Sequence, residues 1–180
     1  MKDTSLRSLV LVAAFTALIV VGAIFSFPAP WNPVVPFTLA TLFVILAGLM
    51  LGPWRGVAAV GLYLFLGILG LPVFSGGSGG IQILAGPTGG FLVGYLLAAM
   101  VAGLLAAPRT LFFYILASFI ASIAIYIPGL PWMHYRLTSI VEDSSWMLTW
   151  TKYTLPFLAG DAIKALAAAA VAYFFRDRIA

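Results

Sequence analysis

The sequence predicts an all-α integral membrane protein, six transmembrane helices in a compact bundle with both termini cytoplasmic. Three observations predict it. Of 180 residues, 63% are hydrophobic and only 8% charged, whereas soluble domains carry about 25% charged residues. Long apolar runs recur between Pro- and Gly-rich breaks without the alternation of a barrel strand. The cations also sort by side. Lys2, Arg7, Arg55, Arg109, Arg176 and Arg178 fall at ends and turns assigned to one face, whereas Arg136 and Lys152 share the other with two acids. Lys and Arg prefer the cytoplasmic side, which orients the bundle.

Each element follows in order, as one membrane domain over residues 1–180. Span one covers 5–26 and is ended by Phe27-Pro28-Ala29-Pro30, because proline cannot continue a helix. An uncharged loop with four prolines follows. Span two, 39–51, is short for a crossing. Gly52-Pro53-Trp54-Arg55 is an interfacial turn, and span three covers 56–71. After a long Gly-rich loop, Pro87 opens span four, 87–107. Pro108-Arg109 turns into span five, 110–127, which Pro128 ends. The polar segment to Lys152 carries His134, Arg136, Glu142 and Asp143. Span six, 154–175, closes the bundle. Tight turns lie inside and long loops outside, an arrangement that caps a pocket open to the exterior. No cleaved leader is expected.

Composition excludes several function classes. No cysteine is present, so thiol and disulfide chemistry are absent, and a single histidine removes most metal sites and triads. The net charge of +4 is an orientation signal here and not a nucleic-acid footprint. No metal, cofactor or nucleic acid is expected.

Span six carries the informative residues. Asp161 and Lys164 are three apart and share one helix face. A charge at membrane depth costs at least ~2.5–3.5 kcal/mol on the insertion scale, so such groups face a cavity or a partner. At ~1.5 Å rise per residue, Asp161 lies about two turns below the outer end, and Lys164 one turn deeper. A mutual ion pair that aids packing and a binding pocket both fit.

Other features are weaker. Gly76-Gly77-Ser78-Gly79-Gly80 lacks the Lys and Ser/Thr of a P-loop and alone reads as a connector. Gly86-Pro87-Thr88-Gly89-Gly90 adds a half-buried helix start with free N–H groups. His134, beside Trp132 and Tyr135, reads as interfacial. Phe37, Phe74, Trp132, Tyr153 and Phe157 cluster at the outer ends as anchors, with Phe157 one turn above Asp161. Ala13 and Ala17 form a small-xxx-small face, extended by Gly22, that suits either internal packing or docking.

The segments VPFTLATLFVILAGLMLGPWRG, GLPVFSGGSGG, GPTGGF and PFLAGDAIKALAAAAVA resemble the BioY family in order and spacing, over roughly residues 34–100 and 153–172. The resemblance implies a substrate-capture subunit, the biotin-binding S component of an energy-coupling factor (ECF) transporter. It implies multi-pass residence in the cell (inner) membrane, with biotin the ligand and no enzyme activity. The implied partners are a membrane coupling protein, docked on Ala13 and Ala17, and two ATPase subunits. A homo-oligomer is left open. Asp161 and Lys164 match the family's GDxxK motif at the biotin site. Biotin's ureido ring offers two N–H donors and a carbonyl, while its thiophane ring and valeryl chain are apolar. Asp161 is expected to accept a ureido N–H. Lys164 is expected to meet either an acceptor oxygen of the ring or the valerate carboxylate. Gln82 is a further polar candidate, Phe37, Thr38 and Phe74 suit a wall and lid, and Gly79, Thr88 and Phe157 complete the set. Three alternatives are an S component for another vitamin, a small intramembrane enzyme using Asp161, and a structural assembly subunit.

Overall fold

The computed structural model describes residues 2–29, 32–139 and 145–179. Helix α1 (Lys2–Ile24) leads into a hairpin, β1 (Ser26–Ala29) and β2 (Asn32–Thr38), followed by α2 (Ala40–Leu51) and α3 (Pro53–Ile68). A loop with a short turn at Ser75–Gly77 then reaches α4 (Ile81–Ala85), α5 (Gly89–Leu105), α6 (Leu111–Thr138), α7 (Trp146–Tyr153) and α8 (Leu155–Ile179). By length and composition, Ser5–Ile24, Leu111–Thr138 and Leu155–Phe175 are long and apolar enough to cross a membrane. Ala40–Leu51, Pro53–Ile68 and Gly89–Leu105 are shorter apolar helices. The fold is a multi-pass membrane bundle of mainly α-helices.

Helix α2 is its axis. It is apolar on all sides, as expected of a helix without a solvent face, and it packs on α1, α3, α5, α6 and α8. Val44, Ile45 and Ala47 are essentially inaccessible. A Cβ at Gly48 would collide with the Ala99 carbonyl, so only glycine permits this approach of α2 to α5. Twelve residues rise only about 18 Å, short of a ~30 Å hydrocarbon core. Non-helical backbone at such depth is tolerated where it is buried or lines a cavity. The end of β2 does the latter, as Thr38 borders the cavity described below.

Several boundaries differ from the sequence reading, each for a local reason. The Pro-rich outer loop is a hairpin, pairing Ser26 with Thr38 and Phe27 with Phe37, with an irregularity between Phe27 and Ala29. That irregularity coincides with Pro28, which has no N–H to donate. Span three starts earlier, because Pro53 sits acceptably in a first helical turn. Pro87 precedes α5 and does not open it; Thr88 is the cap. Span five does not stop at Pro128. Helix α6 runs through Pro128 and Pro131 to Thr138. Each proline deletes one ladder bond, but the extension buries Met133 and Leu137 against Tyr153, and that packing outweighs the local penalty. Glu142 and Asp143 lie outside the described residues.

Ala13 and Ala17 are both exposed on the outer face of α1. The inner face presents Phe15, Thr16, Ile19 and Ala23. Thr16 directs its hydroxyl to the carbonyls of Val12 and Ala59, both at 2.9 Å, which ties α1 to α3. Gly22 is not part of the outer face; it is buried against Leu39 and Phe43.

Candidate functional site

The loop-rich end of the bundle holds a half-open cavity of about 290 Å³, near the lower end of small-molecule pockets at ~300 Å³. Its floor is polar. Lys164 and Asp161, each 12% exposed, pair at 2.6 Å through Oδ1 of the acid. The ammonium also donates to Thr41 Oγ1 at 2.9 Å and to the Thr38 carbonyl at 3.3 Å. An ammonium has three N–H donors, and all three have acceptors. The Tyr126 hydroxyl donates to Oδ2 of Asp161. Helices α2, α6 and α8 and the end of β2 thus converge on two charges that no single element could keep at this depth.

The walls are aromatic. Phe37 from β2 packs on Phe157 from α8 with ring centroids 4.4 Å apart. Phe74 is almost fully buried, edge-on to Tyr63 at 5.4 Å. Its ring occupies the space a side chain at Gly67 would need, so that glycine on α3 is the seat of Phe74. Phe91 stands edge-on to Tyr126 at 5.7 Å. Such edge-to-face pairs fix ring orientation as well as burying area.

Seven of the nine residues singled out for this site border the cavity: Phe37, Thr38, Phe74, Thr88, Phe157, Asp161 and Lys164. Two do not. Gln82 is exposed and donates to the Gly79 carbonyl at 2.8 Å, so these two bond each other beside the cavity. The glycine loop is closed on itself: Phe74 N–H donates to the Ser78 carbonyl at 2.8 Å, and Gly77 N–H to the Phe74 carbonyl at 3.0 Å. The Gly80 N–H then donates to the Gly67 carbonyl at 2.7 Å, which anchors the loop on α3. The loop positions Phe74 and is no anion cradle.

The sequence reading missed Thr41, Tyr95 and Tyr126, all of which line the cavity. A signal existed for Tyr95, a hydroxyl-bearing ring well inside an apolar run, where the hydroxyl needs a partner; Tyr126 stood at the expected end of span five and Thr41 near the start of span two, where neither stands out. His134 lies on α6, stacked on Trp146 at 3.9 Å with Nδ1 3.1 Å from Thr149 Oγ1. It joins α7 to α6 and does not border the cavity. Trp132 donates its indole N–H to the Gly86 carbonyl at 2.9 Å and so fastens the α6 extension to the glycine loop. Among the described residues, no cluster of His, Cys, Asp or Glu could hold a metal.

Fold and cavity together define a multi-pass membrane protein with a half-open, amphipathic small-molecule chamber at one end. The chain belongs to the BioY family, which matches it over residues 1–180. Among its relatives, the biotin transporter BioY of Thermotoga maritima is 42% identical over 168 residues, covering 93% of this chain and 94% of that one. The biotin transporter BioY of Rhodobacter capsulatus is 39% identical over 176 residues, covering 92% and 91%. A crystal structure of the S-component for biotin from an ECF-type ABC transporter matches with a TM-score of 0.85 at 26% identity. That match covers 98% of this chain and 94% of the other.

Proposed function

We propose that this chain is the high-affinity, biotin-binding S component of an ECF-type transporter, a capture subunit and not an enzyme. The observation that carries the reading is the Asp161–Lys164 pair facing an aromatic chamber. A ligand for such a chamber needs a compact donor–acceptor head and an apolar body. Biotin has both. In the proposed pose a ureido N–H goes to Asp161, and Lys164 exchanges one of its three acceptors for the ureido oxygen. The thiophane ring lies among Phe37, Phe74 and Phe157. Thr38 and Thr88 complete the contact set, while Gly79 and Gln82 act indirectly through the loop that carries Phe74. A pose that places the valerate carboxylate on Lys164 uses the same residues.

The bundle is proposed to cross the cell membrane six times with both termini cytoplasmic. The hairpin, the glycine loop and α7 then roof the cavity on the outer side, and the turns bearing Arg55 and Arg109 face the cytoplasm, as the positive-inside preference favours. The sequence has no P-loop motif, so ATP use falls to two ATPase subunits. A membrane coupling protein connects them to this chain through the Ala13 and Ala17 face.

Equilibrium binding of biotin to the purified chain tests the reading, with Asp161→Asn and Lys164→Ala alongside. Tight binding by the wild type and a loss of ten-fold or more in each variant is expected, since a charge-assisted hydrogen bond contributes about 1.5–3 kcal/mol. A wild type that ignores biotin refutes the function. Two folded variants that bind as well as the wild type refute the site.

A further inference from the structure

The two oxygens of Asp161 have different partners. Oδ1 meets Lys164 and Oδ2 takes the proton of the Tyr126 hydroxyl. A second, half-open cavity of about 220 Å³ borders the same group between α6, α7 and α8, where Phe119 and the exposed Ile123, Trp150 and Leu158 make its walls mostly apolar, with Ser122 and Thr154 the polar exceptions. Tyr126 and Asp161 are the two residues that border both cavities. The carboxylate therefore sits in a partition, with the ammonium beside it and a largely apolar space behind.

We propose that Tyr126 is a positioning residue of the ligand site: its hydroxyl pins one oxygen of Asp161 so that the other stays beside Lys164 and open to ligand. The inference rests on reading the first cavity as the biotin site. An ionised carboxylate has about four lone-pair positions and no donor of its own. Lys164 cannot satisfy both oxygens in the observed geometry, because Thr41 and the Thr38 carbonyl take its other two protons. Without the phenol, Oδ2 would lose the donor it has, at the edge of a mostly apolar space whose remaining hydroxyls are those of Ser122 and of Thr154, the latter given to the Thr149 carbonyl; an unpaired charged oxygen there is a costly state. The carboxylate would relieve that state by turning both oxygens toward the ammonium. That closed pair is the arrangement an incoming donor–acceptor head has to undo, so affinity falls although Tyr126 need not touch the ligand. The ring itself is held by Phe91, edge-on at 89°, which makes the hydroxyl a fixed donor.

A purely structural role for Tyr126 predicts something else: the same loss whether or not Asp161 is a carboxylate. A double-mutant cycle separates the two. Biotin affinity and thermal midpoint are measured for the wild type, Tyr126→Phe, Asp161→Asn and the double variant. Tyr126→Phe should weaken biotin binding about ten-fold in the wild-type background and less than about two-fold in the Asp161→Asn background. An unchanged affinity in Tyr126→Phe, or equal losses in both backgrounds, overturns the proposal. Tyr126→Met fills the same space without a donor and takes the place of Phe in the cycle if the Phe variant does not fold. If the wild type binds no biotin, the functional reading itself falls; if it binds and the cycle is additive, only the role of Tyr126 does.

Discussion

Helices α1 and α8 bury the same share of their most apolar window, 28%, yet they use the buried part in opposite ways. Helix α1 faces the bundle with Phe15, Ile19 and Ala23 and carries no charge from Ser8 to Ile24. Helix α8 turns Asp161 and Lys164 to the cavity, where Tyr126, Thr41 and the Thr38 carbonyl complete them. Helix α8 is correspondingly the less apolar of the two. Two rim helices of equal burial therefore differ in the partners that surrounding elements supply. A charge survives at membrane depth when several elements converge on it, and α1 has no such convergence.

The largest effect should come from breaking that convergence at the ammonium. Lys164→Ala strands Asp161 with the Tyr126 hydroxyl alone. Removing one member of a buried pair costs about 3–5 kcal/mol of stability, so the thermal midpoint should drop, and the lost charge-assisted hydrogen bond should lower biotin affinity well over ten-fold. Asp161→Asn should be milder in stability, since Lys164 keeps Thr41 and Thr38. Titration of biotin with parallel melting curves checks both, and a Lys164→Ala protein of wild-type affinity would remove the contrast between the helices.

The next effect acts on the wall and leaves the floor untouched. Gly67→Leu puts a side chain where the Phe74 ring sits. Overpacking of this kind costs about 1–3 kcal/mol of stability, and displacing the ring removes an apolar wall contact, which should weaken biotin up to about ten-fold while the polar floor stays intact. Thr41→Val is smaller again. It removes one of three acceptors from Lys164, and the remaining two should limit the loss to about three-fold. If Thr41→Val matched Lys164→Ala, the ammonium would depend on that single hydroxyl and the picture of convergence would fail.

How much of this was readable in the sequence differs by residue. The Asp161–Lys164 pair was legible because charge inside an apolar run is costly wherever it lies, whatever the fold. Phe37, Phe74 and Phe157 were legible as rings at the outer ends and, through the family resemblance, as parts of one site; their mutual contacts were not, since those depend on the hairpin register and on the seat at Gly67. Tyr126 and Thr41 were invisible for a different reason. A tyrosine or threonine costs little in a membrane helix, and only the tertiary arrangement aims their hydroxyls at Asp161 and Lys164. Pro128 misled because its local effect is real: one ladder bond is lost, and only the packing of Met133 and Leu137 explains why α6 continues. Gln82 misled because a polar side chain in a glycine-rich loop can satisfy itself on the nearest carbonyl, here that of Gly79.

The smallest effect on the ligand is expected from α1, and it is the sharpest test of the comparison. Ala13 and Ala17 are one turn apart and exposed, on the side of α1 away from Phe15 and Ile19, so a large side chain at either position should project away from the core. Ala13→Trp and Ala17→Trp should each leave biotin affinity within about two-fold of the wild type, because no cavity residue is disturbed. The same substitutions fill a face whose use depends on smallness, since close helix approach requires a groove without bulk. Co-purification with the proposed membrane coupling protein should therefore be lost while biotin binding is kept. If both survive, docking uses another face of the bundle. If both are lost, α1 is coupled to the cavity through α3 and Thr16, and the two helices are not independent.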